Sequence, residues 1–405
     1  MEEHPQARFI VETLSRAGFV AYYAGGWVRD YLLKHPSDDI DIATNASPET
    51  IQALFPHTVP IGIAFGIVLV VMGEHQYEVA TFRQDFDYHD GRRPTRVAFS
   101  TAEEDAKRRD FTINGMFFDP LREEVLDYVG GRADLKAKIL RAIGNPHDRI
   151  KEDRLRMIRA IRMACRFDLE IEVKTQEAIR AHAKELFPAV AVERVVQELE
   201  KGHIFGHLQA MLKGLHAYGL LSAIFPELEA LSLQELAARI DPIATYPKKA
   251  PLIAFLLPLF PHYSLPKQID LCKSLKLPNQ NVQFASFLFR LRQAAKDDYE
   301  WAQLYANPFC PLCLQILSAH LNAVERAPFL QRHEERKAKL QEAIERIVRR
   351  DPVIKAIDLQ KAGIKPGPAM GHLLKEAERL SCNEQIYDAA LILERLRKLP
   401  LWPSE

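Results

Sequence analysis

Residues 24–44, AGGWVRDYLLKHPSDDIDIAT, carry the combination of residue types that decides the fold of the first domain. Asp39 and Asp41 are two positions apart, and in an extended strand such residues lie on the same face. Two carboxylates on one face can share a divalent cation such as Mg²⁺, which binds oxygen ligands and keeps positions open for substrate phosphates. The segment therefore predicts a strand that carries a metal site.

The residues ahead of the aspartates supply groups that suit phosphate. Gly25 and Gly26 allow the backbone to approach a triphosphate closely, and Arg29 offers a charged fork to its oxygens. An exposed turn is the alternative for the aspartates, but Ile40 and Ile42 alternate with them, which is typical of a strand with one buried face. The combination favours a nucleotidyl-transfer site.

Length and composition indicate a multidomain globular protein. The 405 residues suffice for about two to four domains, and 47% hydrophobic with 27% charged residues is typical of soluble proteins. There is no run of about 18 apolar residues and no signal-peptide core, so no transmembrane helix and a cytoplasmic location are expected. Lys plus Arg equal Asp plus Glu at 54 each, so any nucleic-acid binding depends on local basic patches.

The five cysteines do not predict a disulfide framework in a chain of this length. Cys310 and Cys313 have the CxxC spacing, but no second pair nearby completes a zinc site and no βαβ context suggests redox chemistry. Buried thiols are therefore favoured over a zinc or redox site.

Hydrophobic patterning and capping signals divide the chain into a mixed head and a helical remainder. From about residue 132 strand signals nearly vanish, and helical periodicity continues to the end with breaks at prolines. The elements predicted in the head are a helix ending near Gly18, a strand at 20–25, helices at 27–34 and after Ser47, a strand at 39–43, a hairpin of strands at 66–72 and 76–83, and a loop at 85–99.

Three more head residues are candidates for the same site. Glu78, in the strand at 76–83, is either a third metal ligand or a base, or else a glutamate that faces solvent. In RRDFTIN, Arg109 can hold phosphate or ribose and Asn114 can bond sugar hydroxyls. A charged helix face is the alternative for this segment, but the uncharged turn after the arginines favours a site.

A later segment, EDRLRMIRAIR, spaces an aspartate and three arginines at intervals of three. On one continuous helix Asp153 and Arg156 diverge by about 60°, whereas Arg162 lies about 180° from Asp153. An adjacent aspartate and arginine can accept from the amino group and donate to the ring nitrogen of adenine or cytosine, which uracil and guanine do not match. Arg159 and Arg162 suit phosphates or RNA. The alternative is a salt-bridged helix in which Glu152 pairs with Arg156.

These motifs together resemble the class II tRNA nucleotidyltransferase and bacterial poly(A) polymerase family. The resemblance covers about the first 200 residues, in the expected order, through GGWVRD, DIDIAT, RRDFTIN, DYVGGRADL, EDRLRMIRAIR and VERVVQELEKG. AGIKPGPAMGHLLKEAERL is similar to the family's tail motif. There are two departures. The family usually has a Ser just ahead of its Glu-Arg pair, whereas Ala191-Val192 precede that pair here, and Met163 stands where Phe is common.

The resemblance implies an α+β fold, with a nucleotidyltransferase head that has a mostly antiparallel sheet, followed by all-helical neck, body and tail domains. The corresponding boundaries are 1–135, 136–204, 205–330 and 331–405. The implied partners are ATP, CTP and the acceptor arm and 3′ end of tRNA, held by shape and backbone contacts, with no membrane and no DNA. The implied cofactor is Mg²⁺.

The resemblance further implies that Asp39 and Asp41 hold Mg²⁺ and that other motif residues surround the nucleotide. The implied contacts are Gly26 and Arg29 to the triphosphate, Arg109 to the nucleotide, and Asp153 and Arg156 to the base, with Arg159 and Arg162 lining the same cleft. Gly25, Glu78 and Asn114 are candidate site residues because of their chemistry and position in the sequence, independently of the resemblance.

Within the family, CCA-adding, CC-adding, A-adding and poly(A)-adding enzymes share one site. CC-adding enzymes lack a flexible loop ahead of the RRD motif, whereas here a loop is present and includes Asp90, Arg92 and Arg93. The basic stretch and long basic C-terminus of gamma-proteobacterial poly(A) polymerases are not found. Addition of CCA to tRNA with release of pyrophosphate is therefore expected. A-adding or poly(A) synthesis is the alternative, and a catalytically silent RNA-binding relative is the least favoured.

Overall fold

The computed structural model describes residues 4–35, 37–62, 65–88, 94–293 and 295–402. The chain forms two compact units, Met1–Gln234 and Glu235–Glu405. The first contains the sheet and several helices, and the second is helical, which confirms the predicted α+β class. The finer division into head, neck, body and tail stays a prediction. In the described part of the chain, no helix is both long and apolar enough to cross a membrane.

The strands of the first unit form one large sheet and two small ones. The large sheet has seven strands in the order β3-β4-β5-β2-β1-β8-β9, and its neighbours are antiparallel except for the parallel pair β2 and β5. The strands are β1 Ala21–Ala24, β2 Asp41–Thr44, β3 Thr58–Gly62, β4 Ile67–Met72, β5 His75–Thr81, β6 Arg83–Tyr88, β7 Pro94–Phe99, β8 Met116–Asp119, β9 Glu124–Asp127, β10 Ile139–Leu140 and β11 Glu170–Ile171.

Helices cover the sheet and continue beyond it in the first unit. Ser47 caps α3 by accepting a hydrogen bond from the Thr50 amide, as the Ser-Pro-Glu sequence predicts. The helices are α1 Pro5–Arg16, α2 Gly26–Leu32, α3 Pro48–Leu54, α4 Ala102–Lys107, α5 Gly131–Lys136, α6 Pro146–Glu152, α7 Leu155–Phe167, α8 Val173–His182, α9 Val192–Ile204, α10 Leu208–Ala217 and α11 Leu220–Ile224.

The second unit consists of helices and short 3₁₀ turns in its described residues. Cys310 and Cys313 are buried at the start of α17, and burial raises the pKa of each thiol to about 12, which confirms the expectation of buried thiols. The helices are α12 Leu233–Ile240, α13 Leu252–Leu256, α14 Leu265–Ser274, α15 Asn279–Arg292, α16 Asp298–Tyr305, α17 Cys310–Ala319, α18 Ala323–Lys339, α19 Gln341–Arg349, α20 Ala356–Lys361, α21 Pro368–Glu384 and α22 Ala389–Arg397.

Three local predictions are wrong. Strand β2 begins at Asp41, so Asp39 precedes the strand instead of belonging to it. The segment 85–99 is not simply a loop, because β6 and β7 pair there as an antiparallel ribbon; Asp90, Arg92 and Arg93 lie outside the described residues. The segment 152–162 is not one continuous helix, because α6 ends at Glu152 and α7 begins at Leu155.

Candidate active site

The turn between β1 and α2 lies directly against the second aspartate. Gly25 has φ +68° and ψ −128°, a conformation that side chains other than hydrogen rarely adopt. A Cβ atom on Gly25 would lie 3.0 Å from Arg109 Nη1 and 3.7 Å from Asp41 Oδ2. Gly25, Asp41 and Arg109, which are far apart in sequence, therefore meet at one place.

Asp41 lies in the middle of the large sheet, opposite Ala24 of β1. The residue is exposed to solvent, although neighbouring protein atoms crowd its carboxylate. Burial raises the pKa of Asp41 to about 6, with further contributions from the charges of Asp39 and Glu78, while Arg109 acts in the opposite direction. Crowded negative charge of this kind is what a bound cation neutralises.

The donor set at Asp41 suits a hard cation. Asp39 and Asp41 supply carboxylate oxygens, and the exposed Glu78 is near enough to raise the pKa of Asp41. Among the residues that the structure describes, no cluster of three or more His, Cys, Asp or Glu side chains has the geometry to hold a metal. The two aspartates therefore fit a site that protein and substrate oxygens complete together, and Glu78 as a direct ligand stays a prediction.

Arg109 is held in place from behind by Asp105, a buried residue of α4. Arg109 Nη2 lies 3.0 Å from Asp105 Oδ2, and Arg108 Nη2 lies 2.7 Å from Asp105 Oδ1. Burial alone would raise the pKa of Asp105, but Arg109 and Arg108 lower it below its ordinary value. The ionised Asp105 therefore orients Arg109, whose Nη1 is the atom nearest Gly25.

Arg29 is placed behind the glycine turn and is 5% exposed. Its guanidinium bonds the carboxylate of Asp30 at 2.8 Å and the side-chain oxygen of Asn114 at 2.6 Å, and it lies 4.1 Å from the ring centre of Phe167. Burial lowers the pKa of Arg29, and Asp30 opposes this shift. These contacts support the turn, and direct binding of the triphosphate by Arg29 stays a prediction.

Asn114 connects the glycine turn to helix α7. Its amide nitrogen donates to Asp110 Oδ1 at 3.0 Å and contacts Met163 Sδ at 3.3 Å. Asp110 Oδ2 in turn accepts from Arg159 Nη2 at 2.7 Å. Although burial opposes it, Arg159 and Asn114 hold the pKa of Asp110 well below its usual range. Asn114 is buried, and its bonding of sugar hydroxyls stays a prediction.

Asp153 and Arg156 have different hydrogen-bond partners, because the helical conformation is interrupted between α6 and α7. Asp153 Oδ2 accepts from Arg194 Nη2 of α9 at 2.8 Å. Arg156 Nη1 bonds Glu152 Oε2 at 2.7 Å, so the salt bridge considered as the alternative is present. In the part of the chain that the structure describes, Nε and Nη2 of Arg156 make no hydrogen bond. Base reading by this pair stays a prediction.

Helix α9 contributes residues that the sequence reasoning did not assign. Glu198 is 2% exposed, and its Oε2 accepts from Arg162 Nε at 2.5 Å. Its Oε1 lies 3.7 Å from Arg159 Nη1. Arg194 and Glu198 are four residues apart, which places both on one helix face, and that spacing could have revealed them. Arg162 thus forms a buried ion pair with Glu198.

Two family models match parts of the first unit. Residues 21–141 match the Poly A polymerase head domain, and residues 168–231 match the probable RNA and SrmB-binding site of polymerase A. The CCA-adding enzyme of Pediococcus pentosaceus is 33% identical over 406 residues, with 97% of each chain covered. The chain belongs to the CCA-adding enzyme family.

Other members of the CCA-adding enzyme family agree in sequence and in fold. The Enterococcus faecalis enzyme is 40% identical over 314 residues, which cover 75% of this chain and 74% of that protein. The crystal structure of the Bacillus stearothermophilus CCA-adding enzyme in complex with CTP is 28% identical, with a TM-score of 0.80 over 96% of this chain and 97% of that one. The predicted family and nucleotidyltransferase fold are confirmed.

Proposed function

We propose that the protein adds C, C and A in turn to the 3′ end of tRNA, from CTP and ATP, and releases pyrophosphate. The observation that carries the proposal is the meeting of Gly25, Asp41 and Arg109 at the middle of the sheet. Membership of the CCA-adding enzyme family over nearly the whole chain supports it. In this reaction the RNA 3′-hydroxyl oxygen bonds to the α-phosphorus, and the bond from that phosphorus to the pyrophosphate oxygen breaks.

The residues at the turn provide positioning and charge. The absence of side chains at Gly25 and Gly26 lets the guanidinium groups of Arg109 and Arg29 lie against the turn, and we propose that the Arg109 guanidinium binds the triphosphate there. Asp39 and Asp41 are the proposed ligands of Mg²⁺. When bound, such an ion activates the attacking hydroxyl and neutralises developing negative charge. Glu78, whose charge contributes to the raised pKa of Asp41, is the proposed third acidic group of the site.

Base choice is assigned to Asp153 and Arg156. Arg194 orients the Asp153 carboxylate by donating to both of its oxygens, and Oδ2 keeps a further lone pair for the amino group of cytosine or adenine. The free Nε and Nη2 of Arg156 supply the donors that the ring nitrogen of the same base requires. Arg159 and Arg162 form ion pairs with Asp110 and Glu198, which supports a role in stabilising the cleft, and their direct contact with phosphates or RNA stays a prediction.

Product lengths on three RNAs test the activity. The substrates are tRNA lacking CCA, tRNA lacking only the final A, and an unstructured primer, each with CTP, ATP or both. With both CTP and ATP present, we expect three nucleotides to be added to tRNA lacking CCA, one to tRNA lacking only the final A, and none to the unstructured primer. Long tails on the unstructured primer would show poly(A) synthesis instead, and extension only of the tRNA that lacks A would show an A-adding enzyme.

Fractionation of cells with an antibody against the protein tests the proposed cytoplasmic location.

The variant Asp41→Asn tests whether Asp41 is needed for metal binding and not for the stability of the fold. We expect incorporation to be lost, whereas Asp38→Asn, which changes the neighbouring exposed carboxylate, should retain it. The folded pKa of Asp41 is about 6 and its ordinary value is 3.8, so its contribution to stability falls as pH rises between these values. The variant should therefore melt no lower than wild type near neutral pH in a chelator. Normal turnover by Asp41→Asn would contradict the assignment.

A further inference from the structure

Arg166, near the end of α7, differs from the other arginines of this helix. Arg159 and Arg162 pair with carboxylates, but within the described residues Arg166 makes no hydrogen bond or ion pair. Its guanidinium carbon instead lies 3.6 Å from the ring centre of Phe205 and 4.8 Å from that of Phe167. The N–H groups of the partly exposed Arg166 thus have no acceptor among the described residues.

The Arg166–Phe205 pair is the outer end of a stack that begins at the glycine turn. Arg29 lies 4.1 Å from the ring centre of Phe167, and a Cβ atom on Gly26 would lie 3.4 Å from Arg29 Nη2. The order is therefore Arg29, Phe167, Arg166 and Phe205. Arg29 is 5% exposed and Phe205 is 43% exposed, so the stack leads from the interior to the surface.

Phe205 and its neighbour form a surface that suits a flat ligand. Ile204, the last residue of α9, is 71% exposed beside Phe205. Burial lowers the pKa of Arg166, and because the charge of Asp30 offsets this shift only in part, a further negative charge nearby would compensate for the lost hydration. An aromatic ring and a guanidinium plane together bind an unpaired nucleotide well, because the base stacks and the phosphate accepts hydrogen bonds.

We propose that Arg166 and Phe205 form a platform for an unpaired nucleotide of the RNA substrate near its 3′ end. The base stacks on the open part of the Phe205 ring, and the adjacent phosphate accepts from the guanidinium of Arg166. The inference rests on the proposed function for the identity of the partner as RNA. Single-stranded RNA fits better than a duplex, because bases inside a helix have no free faces to stack on protein.

Fluorescence of a labelled RNA tests the platform without requiring catalysis. The probe is an acceptor-stem hairpin with 2-aminopurine at an unpaired 3′-terminal nucleotide, and a blunt-ended hairpin is its reference. Binding of the overhang probe by wild type should quench the fluorescence. Arg166→Ala and Phe205→Ala should each weaken overhang binding by about tenfold, within the range measured for loss of a stacked base, and reduce the quenching.

Matched variants distinguish stacking from general loss of charge or fold. Arg180, on α8, lies 4.7 Å from the ring centre of Tyr218, and Arg180→Ala removes a comparable surface stack elsewhere. This control should bind the overhang probe as wild type does. Phe205→Leu keeps an apolar side chain without a ring and should also lose quenching, which guards against a folding defect of Phe205→Ala.

Two results would overturn the platform. One is overhang affinity within twofold of wild type in both Arg166→Ala and Phe205→Leu. The other is an equal loss on the blunt hairpin, which would show a backbone contact only. Failure of the proposed function has a different signature, namely no incorporation of C or A by wild type on any RNA, and it leaves the binding comparison intact.

Discussion

Glu198→Gln is expected to destabilise the packing of α9 against α7 by about 3 kcal/mol, the lower end of the range for breaking a buried ion pair. Gln keeps one acceptor oxygen but removes the charge. Glu198 is 2% exposed and Arg162 is 5% exposed, so water cannot take over the role of the carboxylate. Arg159, the other arginine near Glu198, keeps its bond to Asp110. The cost therefore comes mainly from Arg162.

Hydrogen exchange of amides in α7 and α9 measures this loss locally, which matters because a protein of two compact units need not unfold in one step. A loss of about 3 kcal/mol corresponds to exchange more than about a hundredfold faster. Glu200→Gln is the matched control on the same helix, since Glu200 makes no ion pair within the described ranges. Adding Arg162→Met to Glu198→Gln removes the unpaired cation and should restore most of the protection. Exchange in Glu198→Gln within threefold of wild type would refute the reasoning.

Two further predictions concern the glycine turn and the thiols. Gly25→Ala should cost about 1–3 kcal/mol of backbone strain and, by displacing Arg109, lower the rate of CMP and AMP incorporation. Gly130→Ala has a similar positive φ but open space around the new Cβ, so it should lose stability and keep activity; equal activity in both variants would contradict the role of the turn. Cys310 and Cys313, whose pKa values are about 12, should resist alkylation in the folded protein near neutral pH, as judged by mass spectrometry, and rapid labelling would contradict their burial.

The local parts of the fold and site were predictable from the sequence. Strands β4 and β5, the cap at Ser47 and the Glu152–Arg156 pair depend on residues close together in the chain, and each is present in the structure. The meeting of Gly25 and Arg109 was predictable only through the family resemblance. The sequence distance between them carries no geometric information by itself.

The long-range ion pairs were not predictable. Arg194 of α9 pairs with Asp153, which lies between α6 and α7, and Glu198 of α9 pairs with Arg162 of α7, so tertiary packing alone brings the partners together. The break before α7 was missed because helical periodicity on both sides of Asp153 hides a single residue in extended conformation. The even spacing of Asp153, Arg156, Arg159 and Arg162 therefore predicted which side chains lie in this region, but not how they are oriented relative to one another.

The pairing of the cleft arginines has a consequence for the response of the protein to ionic strength. Binding of polyanions depends on salt to the extent that unpaired cations replace the counterions of phosphates. The cleft arginines already have carboxylate partners in the protein, in the pairs Arg29–Asp30, Arg109–Asp105, Arg156–Glu152, Arg159–Asp110 and Arg162–Glu198. The affinity of the cleft for nucleotides should therefore change little when potassium chloride is added. An arginine-rich motif becomes selective in this way, because shape and hydrogen bonding decide what binds there when bulk electrostatic attraction is weak.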